Sequence, residues 1–217
     1  MSTPNLTTET ERIRRIYDER APAYDRAQGL VERLALGSLR RQFGALMSGE
    51  TLEIGVGTGL NLPFYAPAVT RAAGVDLSEE MLARARERAA GLPFPTSFVQ
   101  GDATELPFPE AAFDTVAISL ALCTIPDPAQ ALREAARVCR PDGRVVLLEH
   151  VIAPARPLAV AQRLLSPLNE RAIGCHLDRD TFTLARSLGF SVESVGSRLF
   201  DIFQLAVLRP PARATFD

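Results

Sequence analysis

The stretch Thr51-Leu52-Glu53-Ile54-Gly55-Val56-Gly57-Thr58-Gly59 constrains the chain more than any other. An apolar run that ends in an acidic residue and three alternate glycines reads as a buried strand entering a tight turn, with a helix starting near Leu60. Glycine accepts positive φ and, lacking a Cβ, lets a ligand lie against the backbone. A helix beginning there points free N–H groups and the positive end of its dipole at that ligand.

Two ligand classes use such a turn, dinucleotides and S-adenosylmethionine, and spacing separates them. The dinucleotide fingerprint is G-x-G-x-x-G; here its third glycine position falls on Leu60, and the glycine arrives one residue early at Gly59. The E-x-G-x-G-x-G form, with Glu53 ahead of Gly55, Gly57 and Gly59, resembles motif I of the class I S-adenosylmethionine-dependent methyltransferases. A strand Thr70 to Val75 then ends in Asp76-Leu77-Ser78, with Ser78 placed to cap a helix Glu79 to Ala90. Asp76 falls at the carboxyl end of a strand neighbouring the first, where open parallel sheets bind ligands and where a carboxylate can accept from both ribose hydroxyls. Dehydrogenases share that feature. They do not share Gly101-Asp102-Ala103-Thr104-Glu105-Leu106-Pro107-Phe108 after the third strand, Thr96 to Gln100. That run resembles the adenine-binding corner of the methyltransferases.

The remaining order follows the same family. A nearly all-apolar strand, Phe113 to Leu120, suits the centre of a parallel sheet. It leads into A-L-C-T-I-P-D-P, a helix Ala129 to Cys139, the turn Pro141-Asp142-Gly143 and a strand Arg144 to Val151. The resemblance covers about residues 50 to 195 and is closest to the type 11 group of methyltransferases. It implies S-adenosylmethionine as cofactor and S-adenosylhomocysteine as product. It further implies that Glu53, Gly55, Gly57, Thr58, Gly59, Asn61, Asp76, Leu77, Asp102, Ala103, Ser119 and Leu120 form the cofactor site. Asp102 accepts from the adenine amino group there, Ala103 donates its N–H to the ring, and Ser119 and Leu120 lie beneath the methionine part.

Before motif I the pattern is helical from Glu9 to Met47, broken by Pro22 into two helices. Tyr17-Asp18-Glu19-Arg20-Ala21-Pro22-Ala23-Tyr24-Asp25 resembles the paired tyrosine-aspartate signature of small-molecule methyltransferases, which places Tyr17 or Tyr24 over the cofactor. The second helix carries Arg26, Arg33, Arg40 and Arg41 against Glu32. A solvated arginine face and a face touching anionic membrane both fit this pattern.

Late in the chain, Leu148-Glu149-His150-Val151 and Gly174-Cys175-His176-Leu177-Asp178-Arg179-Asp180-Thr181 flank a helix near Leu158 to Asn169. Both stretches resemble the methyltransferase-like proteins that methylate alkyl thiols and the bacterial phospholipid methyltransferases. An alkyl thiol is the acceptor they imply first, with phosphatidylethanolamine at a membrane surface as the alternative. His150, at the end of a central strand, and His176 are the candidate general bases, with Cys123 and Asp178 behind them. A helix Thr181 to Leu188 and strands Ser191 to Val195 and Ile202 to Leu208 complete the pattern, the last two as an antiparallel edge pair. The expected fold is α/β: a Rossmann-like, seven-stranded, mostly parallel sheet with helices on both faces and N-terminal capping helices. The expected domains are a cap over residues 1–47, of which 1–8 are disordered, a cofactor-binding domain over 48–209 and a loose tail over 210–217.

Composition removes other classes. All 24 basic residues of the 217 are arginine, so lysine Schiff-base chemistry and a phosphate-binding lysine loop are excluded. The net charge of −2 gives no basic excess for nucleic acid, and no N-P-P-Y or P-C catalytic motif accompanies the glycine turn. Three cysteines, no C-x-x-C and two distant histidines predict neither a disulfide framework nor a metal site. The polar first residues carry no signal-peptide pattern and no counterpart of the hydrophobic anchor of the thiol-methylating relatives. The longest apolar run, Val116 to Ile125, is about half a membrane span. These features predict a cytoplasmic protein acting on a small molecule or lipid. A non-catalytic cofactor-binding module and a nucleotide-dependent dehydrogenase are the competing readings.

Overall fold

A computed structural model describes residues 6–212. Its seven strands are β1 (Gly49–Ile54), β2 (Val69–Asp76), β3 (Thr96–Gln100), β4 (Phe113–Ser119), β5 (Cys139–His150), β6 (Ser191–Arg198) and β7 (Phe203–Arg209), lying in one sheet in the order β3-β2-β1-β4-β5-β7-β6. β1 to β5 run parallel, while β7 pairs antiparallel with both β5 and β6. The order reverses between β1 and β4, which opens a crevice at their carboxyl ends.

The central strands are buried on both faces, so they read as near-continuous apolar runs. Leu52, Ile54, Val116, Ile118, Val145 and Leu147 form one core layer. Against it pack α5 (Pro128–Val138) and α7 (Thr181–Ser187) through Leu132, Ala135 and Phe182. Ala117, Val146, Leu148 and Leu205 face the other way, against Leu39 and Phe43 of α3 (Gly37–Ala45). α4 (Glu79–Ala89) follows β2, capped by Ser78 Oγ accepting from Met81 N at 3.1 Å as expected.

Four local expectations are revised. The segment ahead of β1 is not two helices but α1 (Leu6–Arg20), a 3-10 turn at Ala21–Ala23, α2 (Tyr24–Val31), a π-helical stretch Glu32–Leu36 and α3. Pro22 takes an early position of the 3-10 turn, where its missing N–H costs nothing, so it bends the chain without ending helical structure. Leu6, Thr7 and Thr8 of the stretch expected to be disordered are helical; residues 1–5 of it lie outside the described residues, as do residues 213–217 of the expected tail. Asn61 to Ala66 forms only a 3-10 turn, Leu62–Phe64, because Tyr65 turns to extended backbone at ψ 136°. No helix dipole therefore points at the glycine turn from that side. The late helix is longer than read: α6 spans Arg156–Ile173 with Pro167 inside it, and ends on Gly174 in the left-handed region at φ 73°.

Candidate active site

A cavity occupies the crevice where the strand order reverses. Of the fourteen residues expected to form the cofactor site, Tyr17, Tyr24, Glu53, Gly55, Gly57, Thr58, Asn61, Asp76, Leu77, Asp102, Ala103, Ser119 and Leu120 line it. Gly59 does not. Its φ is 76°, and a Cβ there would meet Leu62 Cδ1 at 2.8 Å and Ala85 at 3.3 Å, so it is glycine in order to pack the turn on α4. Gly57 differs: at φ 54° a Cβ would meet nothing within 4 Å, because that side opens on the cavity.

Asp76, at the end of β2, holds the turn in shape. Its Oδ2 accepts from Gly57 N and its Oδ1 from Ser78 N, each at 2.9 Å. Burial pushes its carboxyl up to about 6, against the lowering effect of those backbone N–H groups. Glu53 is wholly buried and engaged on both oxygens: Oε2 accepts from the Tyr65 hydroxyl at 2.6 Å and Oε1 from the Asn61 amide. Burial raises it to about 7, offset in part by Tyr65, Asn61 and the nearby Arg40 charge. Asp102 Oδ1 accepts from the backbone N and the hydroxyl of Thr104, both at 2.8 Å, an Asx turn that presents the aspartate at the cavity wall. Leu120, just past β4, has φ 54°, a costly conformation for a branched side chain, and it too lines the cavity.

The tyrosine-aspartate repeat divides its labour. Both Tyr17 and Tyr24 line the cavity, with ring centroids 6.2 Å apart, and burial raises both phenols. Their following aspartates anchor the cap. Asp18 Oδ1 accepts from Ser78 Oγ at 2.6 Å, while Asp25 accepts from Thr58 Oγ1 at 2.7 Å and pairs with Arg88 at 2.5 Å. The hydroxyl of Thr58 is thus committed to Asp25.

Arg40 was expected on an outer basic face, and that is corrected. It is 6% exposed, paired with Glu32 at 2.5 Å, and its Nη1 donates to Asn61 Oδ1 at 2.6 Å and toward Ser119 Oγ at 3.5 Å. Arg40, Asn61 and Glu53 line the cavity in one hydrogen-bonded chain, which continues to Tyr65 in the core behind it. The sequence carries a trace of this: Arg40 follows Leu36 and Leu39 and precedes Phe43, all wholly buried, so it falls on the apolar face of its helix. Ile13, Met81, Thr124, Ile125 and Pro126 also line the cavity without having been singled out.

Neither candidate base lies on the cavity wall among the described residues. The ring of His150 turns to Cys175, with Nε2 3.1 Å from Sγ, and sits edge-on to Phe203. His176 faces Glu170, its Nδ1 4.0 Å from that carboxylate. Asp178 accepts from Ser166 Oγ at 2.5 Å, and Cys123 packs with His150 and Cys175. Arg179 Nη1 donates to the carbonyls of Leu122 and Ile125, the latter at 2.7 Å, so it ties the late loop to the loop after β4 rather than pairing with Asp180, which caps α7.

No helix among the described residues is long and apolar enough to cross a membrane. Residues 52–147 match a family of methyltransferase domains. A phosphatidylethanolamine N-methyltransferase from Cereibacter sphaeroides is 39% identical over 175 residues, covering 78% of this chain and 83% of that protein. A demethylmenaquinone methyltransferase from Clavibacter sepedonicus is 32% identical over 158 residues, 71% of this chain and 64% of its own length. Among solved structures, an S-adenosylmethionine-dependent methyltransferase from Thermotoga maritima superposes with a TM-score of 0.68 at 23% identity, covering 90% of this chain and 99% of its own. Another from Mesorhizobium loti gives 0.60 at 23%, covering 80% and 97%. With its doubly wound sheet, its glycine turn at the reversal point and relatives aligned over most of its length, the chain belongs to the class I S-adenosylmethionine-dependent methyltransferases.

Proposed function

We propose that this enzyme methylates the amino group of phosphatidylethanolamine at a bilayer surface and releases S-adenosylhomocysteine. The observation that carries the reading is an exposed apolar row on α6, Val160, Leu164, Leu165 and Leu168, with exposed Arg163 and Arg171 on the same helix. Leu30, Val31 and Leu34, interspersed with exposed Arg26 and Arg33, repeat that composition in the cap. Such faces suit the apolar and anionic layers of a lipid interface. The name of the Cereibacter relative supports the same acceptor.

In this reading Asp76 and Asp102 hold the ribose and adenine, and Gly57 lets the cofactor lie on the turn. Tyr17 and Tyr24 cover the sulfonium, where aromatic faces favour a cation. The amine lone pair attacks the methyl carbon, the sulfur–methyl bond breaks with its electrons returning to sulfur, and the new ammonium sheds a proton. An amine with a pKa near 10.4 is mostly protonated at neutral pH, at a cost of about 4 to 5 kcal/mol for drawing on the neutral form. The apolar wall of Ile13, Met81 and Ile125 favours that neutral form. Alignment and water exclusion supply the rest of the rate.

An alkyl thiol is the second reading. The two stretches that resemble thiol-methylating proteins meet in space, His150 against Cys175. Incubation of the full chain with S-adenosylmethionine and either phosphatidylethanolamine vesicles or an alkyl thiol, read by mass spectrometry of the acceptor, separates the two. Methylated headgroup is expected; methylated thiol with unchanged lipid overturns the lipid reading.

A further inference from the structure

Three side chains far apart in sequence converge behind the loop that follows β4. One donor atom from each of Cys123, His150 and Cys175 lies within 4.8 Å of the other two. Each comes from a different element: Cys123 from the β4–α5 loop, His150 from the last position of β5, and Cys175 from the loop after α6. Both thiols are buried and unbridged.

We propose that Cys123, His150 and Cys175 form a binding site for a thiophilic divalent cation of the zinc type. Two thiolates and an imidazole are the donor set such an ion takes, and three protein ligands leave one position for water or another donor. Zinc–sulfur bonds of about 2.3 Å and zinc–nitrogen bonds of about 2.0–2.1 Å place tetrahedral donors roughly 3.4 to 3.8 Å apart. His150 Nε2 and Cys175 Sγ already lie 3.1 Å apart, and all three donor atoms lie within 4.8 Å of one another. The backbone around it is fixed: His176 N donates to Cys123 O at 2.9 Å and Asn169 Nδ2 to Cys175 O at 2.6 Å. Gly174 turns the chain inward at φ 73°, where a Cβ would strike Ile13 Cδ1 at 2.2 Å.

Charge points the same way. A dication with two thiolates is neutral as a unit, which buried surroundings tolerate. One residue back on β5, Glu149 is wholly buried; its Oε1 accepts from Ala121 N and Leu122 N at 2.9 and 3.0 Å, while Oε2 has no partner. A buried carboxylate oxygen without a partner calls for a bound water or ion, and the cation already near Glu149 and both thiols is the Arg179 guanidinium. The site would also abut the cavity, since Ala121 and Thr124 on either side of Cys123 line it.

The test needs no methyl acceptor, so its result is separate from the question of substrate. Reduced full-length protein is titrated with Co2+ alone and followed by visible and near-ultraviolet absorption. Saturation at one ion per chain is expected, with thiolate-to-cobalt charge transfer that Zn2+ bleaches, and with affinity reduced tenfold or more in Cys175→Ser. If that variant does not fold, iodoacetamide labelling of the wild type decides: Zn2+ should protect Cys123 and Cys175 and leave Cys139, at the start of β5, unaffected. A titration without a thiolate band, labelling indifferent to Zn2+, or a Cys123–Cys175 disulfide in a chain that takes up no metal when reduced overturns the site.

Discussion

Replacing Asp76 by asparagine should weaken S-adenosylhomocysteine binding far more than a near-isosteric change suggests. Both carboxylate oxygens accept from backbone N–H groups, Gly57 N on one side and Ser78 N on the other, each at 2.9 Å. An amide has one acceptor oxygen, so its NH2 must face one of those N–H donors. A lost hydrogen bond to a charged group costs about 1.5 to 3 kcal/mol, which corresponds to roughly 10- to 150-fold in Kd. The loss falls on binding because Gly57 lines the cavity and the cofactor ribose is assigned to the same carboxylate. Unchanged affinity within threefold, measured by calorimetry at pH 7.5, would refute the reasoning.

The same carboxylate sets a pH dependence. Its pKa is raised to about 6 in the ligand-free fold, and only the ionised form accepts from both ribose hydroxyls. At pH 7.5 it is almost fully ionised, whereas at pH 5 about a tenth is, so affinity should fall about tenfold between the two. Glu53 titrates through part of this window as well. The decisive quantity is therefore the difference in slope between wild type and Asp76→Asn. Equal slopes would sink the assignment even if the variant bound weakly.

Three further outcomes are expected. Arg40→Met leaves Glu32 and Asn61 Oδ1 without their buried partner, and should cost about 3 kcal/mol in urea unfolding; a loss under 1 kcal/mol would mean the Arg40–Asn61–Glu53 chain is not structural. Gly57→Ala forces a side chain into the left-handed region at about 1 to 2 kcal/mol but meets no atom, so it should fold and lose the thermal shift given by cofactor; Gly55→Ala, whose Cβ would meet Ala121 Cβ at 2.5 Å, should instead lower the melting temperature of the ligand-free chain. Glu53 is protonated more readily in the fold, at about 7 against an ordinary 4.5, so its contribution to stability is complete below 4.5 and is lost as pH rises through 7, by about 3 kcal/mol; Asp76 and Glu149 act in the same direction up to about 6 and are common to both chains, so Glu53→Gln should flatten the ligand-free stability curve chiefly between about pH 5 and 7, and an unaltered slope there would contradict it.

The parallel sheet and its glycine turn were legible because they depend on local chemistry. Strands buried on both faces must be apolar, the turn after β1 needs residues that tolerate positive φ, and Asp76 closes β2 while Asp102 stands two residues past β3. What the sequence concealed depends on contacts between distant segments. Asn61 opens a presumptive helix in the sequence, yet its side chain is taken by Arg40 and Glu53, and the chain turns extended at Tyr65. The strain at Leu120 has no compositional mark, since leucine is unremarkable after an apolar strand. His150 was placed correctly at a strand end, but strand-end position does not specify where a ring turns. Its partner Cys175 arrives from beyond an eighteen-residue helix.

The tyrosine-aspartate repeat shows how cap and cofactor site are coupled. Tyr17 lies in α1 and Tyr24 opens α2 beyond the 3-10 turn, with their rings 6.2 Å apart at the cavity, and each following aspartate is rotated about 100° around its helix axis. One step in sequence therefore separates the ring that covers the cavity from the carboxylate that grips the rim. The grips fall on Thr58 of the glycine turn and on Ser78, which also caps α4 and donates its N–H to Asp76. A cofactor that draws on Asp76 thus pulls on the same residue that anchors α1. Ser78 links α1 of the cap to the carboxylate to which we assign the cofactor ribose.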